Sequence, residues 1–117
     1  MTTSIYGIPN CDHTRQARRW LAGHGIACRF HDVRAAGLEP GRLAEWIAAL
    51  GWEALVNRRS ATWRQLDAAT RARLAAATAA DLLRAAPTLL RRPVLEHRGA
   101  VHVGFSPESY QRILGAG

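Results

Sequence analysis

The chain has 117 residues, 48% hydrophobic and 21% charged, which suits one soluble domain with a continuous core. No apolar run approaches the ~18 residues of a membrane span, and Met1-Thr2-Thr3 leads straight into a strand pattern without a secretory signal, so a cytoplasmic protein away from membranes is expected. The net charge of +7 comes from 16 arginines with no lysine; they are scattered along the chain, which predicts a solvated basic surface that attracts small anions or acidic proteins rather than a nucleic-acid footprint. Two cysteines in a reducing compartment make no disulfide framework, which leaves each a catalytic, redox or buried role.

In chain order, Ile5, Tyr6 and Ile8 with the bounding Gly7 and Pro9 predict a short strand, and Ala17, Trp20 and Leu21 recur at helical spacing directly after it. Cys11 therefore stands where a strand hands over to a helix. The first N–H groups of a helix lack intrahelical acceptors and carry positive potential, so a thiolate is favoured there. Arg15, four residues on, shares the helical face of Cys11 and adds positive charge, whereas Asp12 opposes it.

Gly23-His24-Gly25 stops the helix, and Ile26–Val33 reads as a strand with Ile26, Cys28 and Phe30 on one face. That alternation makes Cys28 a core residue. A strand, a helix and a strand in so few residues form a βαβ unit with parallel strands.

From Gly37 to Pro87 the pattern is helical, with no strand signal. Leu43, Trp46, Ile47 and Leu50 form a core-facing stripe after Pro40, Thr70 is a candidate cap for a helix carrying Leu74, and Thr78 with Asp81 fits a capping box ahead of Leu82 and Leu83. Val94–His97 and Ala100–Val103 around Arg98-Gly99 predict a hairpin, and Ser106-Pro107 caps a last helix through Tyr110, Ile113 and Leu114. The whole is an α/β chain of order β-α-β, helical insertion at about 37–87, then β-β-α, expected as a single domain over 1–117.

The run Tyr6-Gly7-Ile8-Pro9-Asn10-Cys11-Asp12 followed by Ala17-Arg18-Arg19-Trp20-Leu21 resembles the opening of the arsenate reductase (ArsC) family, in particular its Spx-like branch of small proteins. Asn57-Arg58-Arg59-Ser60-Ala61-Thr62-Trp63-Arg64-Gln65-Leu66 is similar to the family's arginine-containing middle motif, Leu90-Arg91-Arg92-Pro93-Val94-Leu95 to its arginine-proline motif, and Gly104-Phe105-Ser106 to the Gly-Phe that closes the Spx-like branch. The resemblance implies a thioredoxin-like fold in which Pro93 is the cis-proline facing the nucleophilic cysteine. The helix-start position makes Cys11 and Arg15 the candidate catalytic residues, and with the resemblance Asn10, Arg59, Arg92 and Pro93 are the candidate substrate-binding ones; guanidinium groups bind oxyanions and carboxylates bidentately.

Position 14 holds threonine where a C-x-x-C pair would place its second thiol, so an adduct on Cys11 requires an external thiol; glutathione or glutaredoxin is the expected partner, with no bound cofactor. His102-Val103-Gly104-Phe105-Ser106 lacks the further arginine that arsenate reductases of the family carry there, which favours a small thiol substrate over doubly negative arsenate. The five histidines show no metal-ligand spacing. Two functions follow from the resemblance: a glutathione-dependent thiol oxidoreductase of arsenate-reductase type built on a single nucleophilic cysteine, or an Spx-like regulator that docks on RNA polymerase without catalysis.

Overall fold

A computed structural model describes residues 3–115. In chain order it contains β1 (Thr3–Gly7), α1 (Asp12–Gly23), β2 (Arg29–Asp32), α2 (Val33–Ala36), α3 (Pro40–Leu50), α4 (Trp52–Leu55), α5 (Ala61–Gln65), α6 (Ala68–Ala72), α7 (Ala76–Ala85), a 3-10 turn (Pro87–Leu89), β3 (Val94–His97), β4 (Ala100–Val103) and α8 (Pro107–Leu114). These elements fall into two compact units, residues up to 36 together with those from 92 onward, and residues 37–91. No helix among the described residues is long and apolar enough to cross a membrane.

The first unit is a four-stranded sheet of order β2-β1-β3-β4. β1 pairs parallel with β2 and antiparallel with β3, and β3 pairs antiparallel with β4. Side chains alternate along a strand, so Ile5 and Leu95, register partners, share one face. There they bury against Ala17 and Leu21 of α1 and Tyr110 of α8, with Trp20, Phe30, Phe105 and Ile113 closing the edge. On the opposite face the Tyr6 ring stacks on His31 at 4.3 Å and its hydroxyl donates to Glu96 Oε1 at 3.0 Å.

Local chemistry accounts for the ends of α1. At its C-terminus Gly25 takes φ +66°, Gly25 N–H donates to the Ala22 carbonyl (3.1 Å) and Ile26 N–H to the Leu21 carbonyl (3.0 Å), the two bonds of a Schellman stop. β2 is shorter than its sequence pattern. It begins only at Arg29, opposite Ser4, and ends at Asp32, opposite the last residue of β1. With no strand beyond Gly7 to pair with, Asp32 turns its Oδ1 to the amides of Arg34 (3.0 Å) and Ala35 (3.2 Å), and Val33 opens α2 instead of continuing the strand. The hairpin lies where the pattern predicts, with φ +52° at Arg98 and +79° at Gly99, as a two-residue turn between twisted strands requires. Ser106 Oγ accepts from Ser109 N–H at 3.1 Å and caps α8, with Pro107 in its first turn.

The second unit is helical around Leu43, Trp46, Leu55, Ala79, Leu83, Leu89 and Leu90, all buried. Ile47 and Leu50, expected on the core stripe with Leu43 and Trp46, are only half-buried. Two caps differ from expectation. Asp67, not Thr70, caps α6 through Oδ1 to Thr70 N–H (2.6 Å), because an ionised carboxylate is the stronger acceptor, and Leu74 falls beyond that helix. Thr78 lies inside α7 and accepts from Ala75 N–H (2.8 Å), so the helix begins before the proposed box. An antiparallel bridge joins Val56 to Leu90, with Asn57 N–H on the Leu89 carbonyl (2.9 Å) and Arg91 N–H on that of Leu55 (2.7 Å). It sets the roots of the Asn57–Arg59 and Leu90–Arg91 motifs side by side.

Candidate active site

The site is built at the end of β1. Cys11 N–H donates to the Ile8 carbonyl at 3.0 Å and closes the turn Ile8-Pro9-Asn10-Cys11. Cys11 then stands at the N-cap of α1 in an extended conformation, φ −85° and ψ 126°, and its carbonyl accepts the first helical bond, from Arg15 N–H at 2.9 Å. The half-buried sulfur is thereby held at the positive end of a twelve-residue helix. Burial pushes this thiol up. The Thr14 amide and hydroxyl, together with the hydrogen bond and positive charge of Arg92, outweigh it and bring Cys11 below the ordinary thiol range.

Thr14, which in the sequence stands out only as a missing second thiol, is fully buried. The neutral sulfur receives no full cap bond, and Thr14 Oγ1 has no hydrogen-bond partner among the described residues. Ionising the sulfur gives that hydroxyl, and the amide behind it, a charged acceptor. The signal was present in the sequence: position 14 is the third helical residue after the N-cap, the spacing at which a capping side chain meets the backbone. Gly7 makes room for it. A Cβ at position 7 would stand 2.4 Å from Thr14 Oγ1 and 2.7 Å from its Cγ2.

Arg92 arrives through the sheet. The register pairs Tyr6 with Val94, which sets Arg92-Pro93 opposite the residues that lead into Cys11. The Arg92–Pro93 peptide is cis, Pro93 is buried, and its carbonyl accepts Gly104 N–H at 2.8 Å. The other candidate residues are placed differently. Arg15 is exposed and ion-paired with Asp12, whereas the groups that lower the Cys11 thiol are Thr14 and Arg92. Asn10 is exposed and accepts from Arg34 Nη2 through Oδ1 at 3.4 Å. Arg59 belongs to the second unit, where it lines a cleft of ≈ 310 Å³ with Glu53, Asn57, Arg58 and Arg91. Its amide donates to Asn57 Oδ1 (3.0 Å), and its neighbour Arg58 faces the rings of Trp52 and Trp63, each at 5.7 Å. Cys28 packs against the apolar cluster, and burial pushes its thiol up despite the charge of Arg18.

Residues 6–113 match the ArsC family. The chain belongs to the ArsC family. Its fold is the thioredoxin-like one of that family, and the solved structure of the YFFB protein superposes with a TM-score of 0.93, at 42% identity over 97% of this chain and 100% of that one. An arsenate reductase (ArsC) related protein from Brucella melitensis is 41% identical, with a TM-score of 0.78, covering 98% of this chain and 96% of that one. Among sequence relatives, a global transcriptional regulator Spx of Streptococcus pyogenes is 27% identical over 113 residues, covering 95% of this chain and 84% of the regulator. This ArsC-family chain is thus similar both to reductase-related proteins and to regulators.

Proposed function

We propose that this chain is a thiol oxidoreductase of arsenate-reductase type that uses Cys11 as its single nucleophile and glutathione as co-substrate. The observation that supports it most is the assembly of Thr14, Arg92 and the start of α1 around one sulfur, whose thiolate they favour against the cost of burial. In the reaction the Cys11 thiolate attacks the glutathionyl sulfur of a mixed disulfide, and the S–S bond breaks. The departing sulfur leaves as a thiolate and takes a proton from water. A second glutathione thiolate then attacks the Cys11 adduct, releasing oxidised glutathione and restoring the Cys11 thiolate. Arg92 stabilises the sulfur whenever it carries charge, and Arg59 is assigned by family resemblance to the anionic part of the substrate.

The test is the rate of Cys11 alkylation against pH, followed by mass spectrometry after exposure to oxidised glutathione. An apparent pKa below the usual ~8.5 for a thiol, with a glutathione adduct on Cys11, supports the reading; an unshifted sulfur that forms no adduct overturns it.

The kinship with Spx supports a second reading, a regulator docking on RNA polymerase. Capture of polymerase by the wild-type protein and equally by Cys11→Ser, with no turnover in either, would favour it.

A further inference from the structure

The turn that leads into Cys11 helps to wall a hollow of ≈ 270 Å³ lined by Ile8, Pro9, Asn10, Asp32, Arg34 and Ala35. Three of these residues belong to the same closed turn as Cys11, so wall and thiolate share one short piece of backbone. Its lining combines apolar Ile8, Pro9 and Ala35 with charges of both signs, Asp32 and Arg34. Arg34 is exposed and lines the hollow, and one of its five N–H donors is spent on a long contact to Asn10 Oδ1, at 3.4 Å from Nη2. Asp32, also in the lining, accepts the Arg34 and Ala35 amides on Oδ1 at 3.0 and 3.2 Å, which anchors its carboxylate to the start of α2. The hollow is smaller than the ~300–1,000 Å³ of a drug-sized pocket, so it takes one arm of a ligand rather than a whole one.

A guanidinium and a carboxylate in the lining of one small hollow match a group that carries a carboxylate and an ammonium on neighbouring atoms. We propose that this hollow, with Arg34 and Asp32 as its specificity residues, binds the free α-amino-acid head of the thiol that forms the adduct on Cys11: carboxylate on Arg34, ammonium on Asp32. The proposal rests on the thiol–disulfide reading above and names what the site selects. When Cys11 attacks oxidised glutathione, the sulfur that stays on the protein carries a γ-glutamyl arm ending in such a head, and the other glutathione leaves as thiolate. Seating the head in the hollow converts part of that encounter into an intramolecular one.

The experiment measures second-order rates of Cys11 adduct formation with two disulfides, oxidised glutathione and bis(2-hydroxyethyl) disulfide, which has no charged head. The wild-type protein prefers oxidised glutathione. In Arg34→Ala that preference falls about tenfold, the order expected for loss of one partly exposed charge-assisted pair, and Arg34→Lys recovers part of it. Asp32→Asn, which keeps the Oδ1 acceptor that starts α2, also lowers the preference and shows by circular dichroism whether that helix survives. An unchanged preference in Arg34→Ala overturns the hollow as the subsite while leaving the reactivity of Cys11 intact. A wild-type protein that forms no adduct with either disulfide overturns the underlying reading, and the subsite with it.

Discussion

The two cysteines sit in the same unit, both half-buried, and burial pushes both thiols up. Cys28 stays above the ordinary thiol range because only the charge of Arg18 opposes the loss of water. Cys11 falls below it because two groups of Thr14 and the guanidinium of Arg92 face the sulfur at the start of a helix. The contrast teaches that degree of exposure does not mark a reactive thiol. What matters is whether donors and a cation are aimed at the sulfur itself.

Removing the sulfurs tests the contrast most severely. Cys11→Ser is expected to abolish both glutathione adduct and turnover, whereas Cys28→Ser keeps them, read by intact-mass spectrometry and a coupled assay. Arg92→Ala is next: near-neutral alkylation of Cys11 slows about tenfold, the scale of a lost hydrogen bond to a charged group, while Cys28 does not respond. Gly7→Ala forces Thr14 aside, so thermal unfolding registers a loss of about 1–3 kcal/mol for an overpacked site and Cys11 alkylation slows with it. Thr14→Val replaces the unpartnered buried hydroxyl by a methyl of the same shape. Stability holds or rises by up to about 1 kcal/mol, yet Cys11 becomes less reactive, so the two readouts move in opposite directions.

The smallest effect is in the pH dependence of stability. Cys11 has a folded pKa below its unfolded one, so the unfolded chain holds more protons and Cys11 adds stability as pH rises through the thiol range; that contribution is lost as pH falls through the folded pKa. Cys28, with its folded pKa raised, contributes stability below the unfolded value and loses it as pH climbs through the folded one. Chemical denaturation between pH 7 and 10 is expected to show opposite changes of slope in Cys11→Ser and Cys28→Ser. Equal slopes would mean that the two environments are electrostatically alike.

Much of the frame was legible because it depends on neighbours in sequence. The strand-to-helix corner at Cys11, the glycine stop of α1, the Arg98-Gly99 turn and the Ser106 cap all follow from backbone groups and side chains within a few residues. Where local signals competed, the outcome was harder to read. Asp67 displaced Thr70 as a cap, and β2 stopped at Asp32 because β1 gave it no further partner.

The charge on the sulfur belongs to a different order of information. By itself the sequence determined that Cys11 begins a helix and that the chain alternates β-α-β, helices, β-β-α, since periodicity and capping act over one or two turns. Only the tertiary structure decided which cation reaches the sulfur. Helical spacing offered Arg15, but a carboxylate three residues before it in the same helix claims that guanidinium. Arg92, remote in sequence, meets Cys11 because β3 pairs with β1 in the register that sets Val94 against Tyr6. Strand pairing is a long-range contact that no local pattern specifies, and the chemistry of this site is set by it.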